Sequence, residues 1–240
     1  MQSSGRGENY DAVNRYLSPM SINIEDVGMS YLTPFGKDSI SRVQRASAAL
    51  QQGKGIILVD DEDRENEGDL IFAAEKISIS DVNQLIQDCS GIICLCLTEE
   101  KAAILGLKPM VLNNTSPYQT AFTSSIEAKV GITTGVSAHD RFVTIHTAVN
   151  ANSPDALNQP GHVFPLIARR NGVLDRRGHT EGSIDLMKIT GLHPSSVLCE
   201  LMNKDGTMKK LPELIDYAIT HQLTVLSVED IYQYRQVIEI

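Results

Sequence analysis

Seven of the ten side chains in Asp60-Asp61-Glu62-Asp63-Arg64-Glu65-Asn66-Glu67-Gly68-Asp69 are carboxylic acids. A run of this kind is ordinarily a solvated loop. Here it lies between two apolar stretches, Ile56-Ile57-Leu58-Val59 and Leu70-Ile71-Phe72-Ala73-Ala74. Mutual repulsion at that position has a folding cost unless a cation offsets it. Glu65, Glu67 and Asp69 alternate, so an extended backbone would aim all three in one direction. A hard divalent ion is the natural counter-charge, because magnesium takes one or two carboxylates and keeps several waters. A calcium EF-hand is excluded: counted from Asp61, the sixth position is Asn66 instead of Gly and the twelfth is Phe72 instead of Glu.

The second group is Arg176-Arg177-Gly178-His179-Thr180-Glu181, ahead of Ile184, Leu186, Met187 and Ile189 at helical spacing. Thr180 is the expected N-cap, which sets free backbone N–H groups beside two guanidinium groups and an imidazole. That combination suits a phosphate, whereas the plainer reading is a basic turn that caps a helix. His179 could donate to phosphate or ligate a metal, and the sequence does not choose. His162, in Pro160-Gly161-His162-Val163-Phe164-Pro165-Leu166, reads as a structural histidine or as a proton-transfer group with near-neutral pKa. Glu200 stands in Val197-Leu198-Cys199-Glu200-Leu201-Met202, where burial of the carboxylate would raise its pKa and suit it to acid–base work.

These groups need a scaffold. Residues 1 to about 37 are polar, lack a sustained period and are interrupted by Gly and Pro, so they read as an extension outside the main fold, which occupies 38–240. From Ser39, the residues Ile40, Val43, Ala46, Ala49 and Leu50 predict a helix that Gly53 stops. Strands are expected over 55–60, 70–74, 91–97, 120–128, 141–149, 160–168 and 197–202. Helices are expected over 81–88, 99–105, 180–191, 211–221 and from Val228. The alternation predicts an α/β (α+β mixed) single domain, a mixed β-sheet packed by helices.

Composition narrows the partners. A formal net charge of -9 over 240 residues argues against nucleic acid as a ligand, since phosphate neutralisation along a duplex needs clustered positive surface. No apolar run reaches the length of a membrane span, and the start lacks the apolar stretch of a signal peptide, so a cytoplasmic location is expected. Cys89, Cys94, Cys96 and Cys199 form no Cys-x-x-Cys pair and read as buried free thiols. Dinucleotide and triphosphate glycine loops are absent.

Taken in order, the motifs resemble those of the 3,4-dihydroxy-2-butanone 4-phosphate synthase family over residues 35–235. The acidic loop matches without a break, and Thr133-Thr134-Gly135-Val136-Ser137-Ala138 followed by Asp140-Arg141 matches the central motif. The stretches 160–166, 178–181, Cys199-Glu200 and Asn203-Lys204-Asp205-Gly206-Thr207-Met208 follow in sequence order. The resemblance implies the family's fold and a carbon–carbon lyase of riboflavin biosynthesis that converts D-ribulose 5-phosphate to L-3,4-dihydroxy-2-butanone 4-phosphate and formate. It implies acid–base catalysis through a Mg-stabilised enediolate, with Mg2+ or Mn2+ as cofactor and up to two ions per site. The sugar phosphate is the small-molecule partner, and the implied assembly is a homodimer.

Carried over, Glu65 and His179 are metal ligands, with Glu67 in the water-mediated shell. Arg64, Glu65, Asp69, Arg176, Arg177, Gly178, His179, Thr180 and Glu200 contact substrate, and His162 and Glu200 are catalytic. A catalytically silent sugar-phosphate-binding paralogue is the alternative, against which the joint presence of Glu65, His162, His179 and Glu200 counts. The chain departs from the family pattern at Ile167, where Arg is common, at Asn171, where Gly is usual, and at His139, where a small residue is common. No second, cysteine-rich zinc domain follows, so a monofunctional protein is expected.

Overall fold

The computed structural model describes residues 31–238. Its centre is set by apolar runs whose side chains alternate between two cores. The strands are β1 (Ile56–Val59), β2 (Gly68–Ala73), β3 (Cys94–Leu97), β4 (Ile126–Ala128), β5 (Leu157–Ile167), β6 (Ser195–Glu200) and β7 (Thr224–Ser227). They form one sheet in the order β4-β5-β3-β6-β2-β1-β7. The β1–β7 and β3–β5 pairs are parallel and the other pairs antiparallel.

The helices are α1 (Ser39–Gln51), α2 (Ile79–Asp88), α3 (Glu99–Ile104), α4 (Ala138–Asn150), α5 (His179–Thr190), α6 (Leu211–His221) and α7 (Val228–Val237). Ile56, Leu58, Ile71, Cys94, Cys96 and Leu198 share one core with Val43 and Leu50 of α1, Ile184 and Met187 of α5, and Ile231 of α7. Ile57, Val59, Leu70, Leu95, Val197 and Cys199 share the other with Val82 and Leu85 of α2, Ile145 and Ala148 of α4, and Leu214 of α6. Burial on both faces explains why these strands read as continuous apolar runs, without a polar side. Each buried Leu or Ile contributes roughly 1.5–3 kcal/mol, so the sheet is the rigid part that carries the site.

The expected mixed α/β fold is present, with two local corrections. The segment 141–149 is helical: Ser137 Oγ accepts from Asp140 N as the N-cap of α4, and Ile145, Ala148 and Val149 recur at the helical spacing that faces the core. Its β-branched residues (Val143, Thr144, Ile145, Thr147, Val149) suggest a strand, but capping and tertiary packing override that preference. The strand expected over 120–128 is regular only over Ile126–Ala128, preceded by isolated bridges at Phe122 and Thr123.

Of the proposed extension, residues 1–30 lie outside the described residues. Leu32 and Phe35, further along, are buried against the sheet and carry the chain into α1. All four cysteines are free and buried, and among the described residues no helix is long and apolar enough to cross a membrane.

Candidate metal centre

The acidic loop is organised by its first member. Asp60, at the end of β1, has a fully buried side chain. Its Oδ1 accepts from Glu67 N at 2.9 Å, and its Oδ2 accepts from Glu65 N at 3.0 Å and from Arg64 Nη1 at 2.7 Å. One carboxylate therefore folds the loop back on itself. Arg64 also donates to Glu65 Oε2 at 2.8 Å, and Tyr118 Oη donates to the Arg64 carbonyl at 2.6 Å. The backbone is not extended through the alternating acids, because Asn66 has φ 53°. Glu67 and Asp69 nevertheless both sense the charge of Glu65.

The partner of this loop is the start of α5. Helix α5 begins at His179, one residue earlier than expected, with Gly178 as N-cap and Thr180 buried inside the first turn. A Cβ at Gly178 would lie 2.3 Å from Arg176 Nη1, so the arginine would have to shift to admit a side chain there. His179 is buried, with Nδ1 3.4 Å from Glu65 Oε2 and 3.8 Å from Asp69 Oδ2, and Nε2 4.0 Å from Asp60 Oδ1. Asp60, Glu65 and His179 each offer a ligand atom, all within 4.8 Å of one another. His179 Nε2 and Asp69 Oδ1 are buried without a hydrogen-bond partner.

Burial by itself would lower the His179 pKa, but Asp69, Glu65 and Asp60 outweigh it and lift it to about 9. Burial pushes Glu65 up, yet His179 and Arg64 hold it down at about 2. Asp69 is driven well above the usual carboxylate range by burial and by Glu200, Cys199 and Glu65, against the pull of His179. Glu67 is raised by burial and then by Glu200 and Glu65. A pocket with these opposed shifts attracts positive charge, and in the metal-free protein a proton on His179 supplies it. The oxygen and imidazole donors, with the orphaned buried atoms, fit a hard divalent cation.

The two arginines are already engaged. Arg176 donates through Nη1 to Glu181 at 2.6 Å and reaches the Tyr118 carbonyl and Thr120 Oγ1. Arg177 pairs with Glu229, lies 3.2 Å from Asp61 and stacks on Tyr232. The N-cap of α5 makes no side-chain hydrogen bond to the first turn.

Sheet register brings in the other two candidates. Asp69 on β2 pairs with Glu200 on β6. Cys94 of β3 is aligned with Phe164 of β5 and Leu198 of β6, so His162 and Glu200, each two residues from these partners, lie toward the same end of the sheet. Glu200 is half-buried and accepts from Ser90 Oγ at 2.6 Å. His162 stands two strands away, about 10 Å by strand spacing, and its Nδ1 contacts Glu127 instead.

The structure also locates the departures. Ile167 packs on the α2/α4 core, the face opposite to Asp69 and Glu200. Asn171 has φ −89°, a conformation that does not need Gly, and bonds Asp175. His139 is exposed on the first turn of α4. Sequence reasoning missed Asp60 as the loop's organiser, although its place at the end of an apolar strand was a signal. It also missed Glu127, for which no sequence signal existed.

The fold and site define an α/β protein with an acid–imidazole cluster suited to a divalent cation at one end of a mixed sheet. The profile of the 3,4-dihydroxy-2-butanone 4-phosphate synthases matches residues 44–234, and the chain belongs to that enzyme family. It is 58% identical over 207 residues to the enzyme of that name from Vibrio cholerae serotype O1 (strain M66-2), covering 86% of this chain and 94% of the relative. Among solved structures, a two-domain 3,4-dihydroxy-2-butanone 4-phosphate synthase from A. baumannii superposes with TM-score 0.79 at 43% identity, over 82% of this chain and 58% of that one. Another synthase, solved in complex with two magnesium ions, superposes with TM-score 0.77 at 33% identity, over 81% of this chain and 96% of that one.

Proposed function

We propose that this enzyme converts D-ribulose 5-phosphate to L-3,4-dihydroxy-2-butanone 4-phosphate and formate, in riboflavin biosynthesis, with magnesium or manganese bound by Glu65 and His179. The observation that carries the reading is the buried His179, its Nε2 unpartnered, against Glu65, Asp60 and Asp69. A divalent cation there supplies Lewis-acid stabilisation of the charge that develops when a proton leaves a carbon beside a ketone. Glu65, held near 2, stays a carboxylate and serves as ligand. In the metal-free protein, burial and neighbouring carboxylates raise the pKa values of Asp69 and Glu67, a repulsion that a bound cation would relieve.

Arg64 and Asp69 orient the sugar, and the segment from Arg176 to Thr180 receives the phosphate at the start of α5. The backbone amides face the anion, while Arg176 and Arg177 shape the segment and add positive potential. Glu200, fixed by Ser90, and His162 exchange protons with the substrate carbons and hydroxyls. No covalent enzyme intermediate is needed, and the Cys94 and Cys96 thiols are poor nucleophiles, burial pushing Cys94 up and Cys96 up to about 12.

A homodimer is supported by the exposed apolar side chains of Met110, Val111, Leu112, Val130 and Val136. A cytoplasmic location is supported by four unpaired buried thiols. The test is formate release from ribulose 5-phosphate, abolished by a chelator and restored by magnesium. Binding of the sugar phosphate without formate would refute the proposal.

A further inference from the structure

We infer that Glu127 is a positioning residue that fixes the tautomer of His162, and that the central motif 133–141 is built to hold this pair. The inference rests on the proposed function for what His162 does, but not for how it is held. Glu127 lies on β4, and its Oε1 is in direct contact with Nδ1 of His162 on the neighbouring β5. The Glu127 side chain is 17% exposed and the imidazole 45% exposed. The carboxylate is thus set back in the protein while the ring's remaining edge is open to a ligand.

The pairing of β4 with β5 explains how they meet. Ile126 is aligned with Val163, but Glu127 is aligned with Asn158, so residues 159–162 stand out of register and fold His162 back over Glu127.

The central motif supplies the wall behind the pair. Asp140 Oδ2 accepts from Thr133 Oγ1 at 2.7 Å and from Gly135 N at 3.0 Å, and its Oδ1 accepts from Thr133 N at 3.1 Å. Ser137 Oγ in turn caps α4 at Asp140 N. The loop is thereby tied to the start of α4 and presses Gly135 onto the pair. Gly135 has φ 86°, and a Cβ there would lie 1.4 Å from Glu127 Oε1 and 2.8 Å from His162 Nδ1. No other residue fits both the backbone angle and the space.

The chemistry follows from the inventory of a neutral imidazole, which carries one N–H and one acceptor nitrogen. A carboxylate at Nδ1 accepts its proton, so Nε2 keeps the lone pair and can act as a base. When Nε2 takes a proton from substrate, the Glu127 charge stabilises the imidazolium, as a buried carboxylate behind a catalytic histidine does elsewhere. Glu127 touches neither substrate nor the acid–imidazole cluster around His179 in this account. Its removal should change the rate constant and leave ligand and metal binding intact.

The experiment uses the full chain, labelled with 15N-histidine, with the His162 ring nitrogens assigned by comparison with His162→Gln. In the wild type above neutral pH, long-range 1H–15N spectra should show a single Nδ1–H tautomer at His162. Glu127→Ala should produce a mixture or the Nε2–H form. Turnover measured by formate release should fall roughly 100-fold in kcat, with KM for ribulose 5-phosphate and magnesium affinity within about twofold of wild type.

Glu127→Gln, which keeps the shape and one acceptor oxygen, should fall less and decides the matter if the alanine variant fails to fold. An Nε2–H tautomer in the wild type, or full turnover in either variant, overturns the inference. A parallel loss of magnesium binding also overturns it, because that marks a purely structural role. If the wild type shows the Nδ1–H tautomer yet releases no formate, the reaction assignment fails and the positioning of His162 stands.

Discussion

Asp60→Asn is a sharp test of the site's construction, because it is nearly isosteric and leaves every other contact of the acidic loop in place. The native carboxylate uses both oxygens as acceptors, for Glu67 N, Glu65 N and Arg64 Nη1. An asparagine amide has only one acceptor oxygen, so its NH2 must face at least one of these donors. The loss combines a charge-assisted bond to Arg64 with at least one backbone bond, at a site where the side chain is fully buried. Charge-assisted bonds contribute about 1.5–3 kcal/mol and a buried donor left unmet costs about 1–3 kcal/mol, partly overlapping.

We therefore expect a destabilisation of about 2–3 kcal/mol, a fall in melting temperature of roughly 5–10 °C for a domain of this size. Magnesium affinity should fall at least roughly tenfold, since Glu65 is held to Asp60 through its own amide and through Arg64. Calorimetry in chelator gives the first quantity, and titration of the metal, with manganese as a paramagnetic reporter, gives the second. A variant with unchanged melting temperature and unchanged metal affinity would refute the idea that one buried carboxylate organises the loop.

Glu65→Ala should abolish metal-dependent turnover, because it removes the carboxylate 3.4 Å from His179 Nδ1; magnesium-stimulated formate release by this variant would exclude Glu65 as a ligand. With the His179 pKa raised from 6.5 to about 9 in the metal-free protein, the stabilising contribution of its charged form is complete below pH 6.5 and is lost as the pH rises through about 9. Metal-free samples should therefore lose stability across that window, and magnesium, which displaces the proton, should bind more tightly as the pH rises; calorimetry and isothermal titration between pH 6.5 and 9 check both signs. Gln222, at the C-terminal end of α6, has φ 55°, so Gln222→Gly should raise stability by about 0.5–1 kcal/mol without altering turnover, as read from chemical denaturation.

Much of this protein is written locally. The apolar runs of β1, β2, β3 and β6 follow directly from burial on both sheet faces, and so do the helices with strong N-caps such as Ser78 for α2 and Thr98 for α3. Segment 141–149 was illegible because its β-branched residues favour a strand, while Ser137, outside that run, starts a helix whose apolar face is chosen by contact with α2. Helix α5 begins one residue before the expected span, and its cap lies two residues before the expected one. Thr180 is a better cap by type, but the backbone is extended at Gly178, which becomes the cap and leaves Thr180 inside the first turn.

For the site, the ingredients are legible residue by residue: a dense carboxylate run, a His beside a helix start, and two isolated groups at His162 and Glu200. Residue type and spacing carry that information because the carboxylates and the imidazole are chemically specific wherever they fall. Tertiary structure alone decided which of them meet. The register of β2 with β6 sets Asp69 beside Glu200, and the packing of α5 brings His179 to Glu65, Asp60 and Asp69 across more than a hundred residues. The irregular pairing of β4 with β5 gives His162 its partner in Glu127. Such pairings depend on register and on which sheet face each strand presents, and these are fixed only when all seven strands and their covering helices close on common cores.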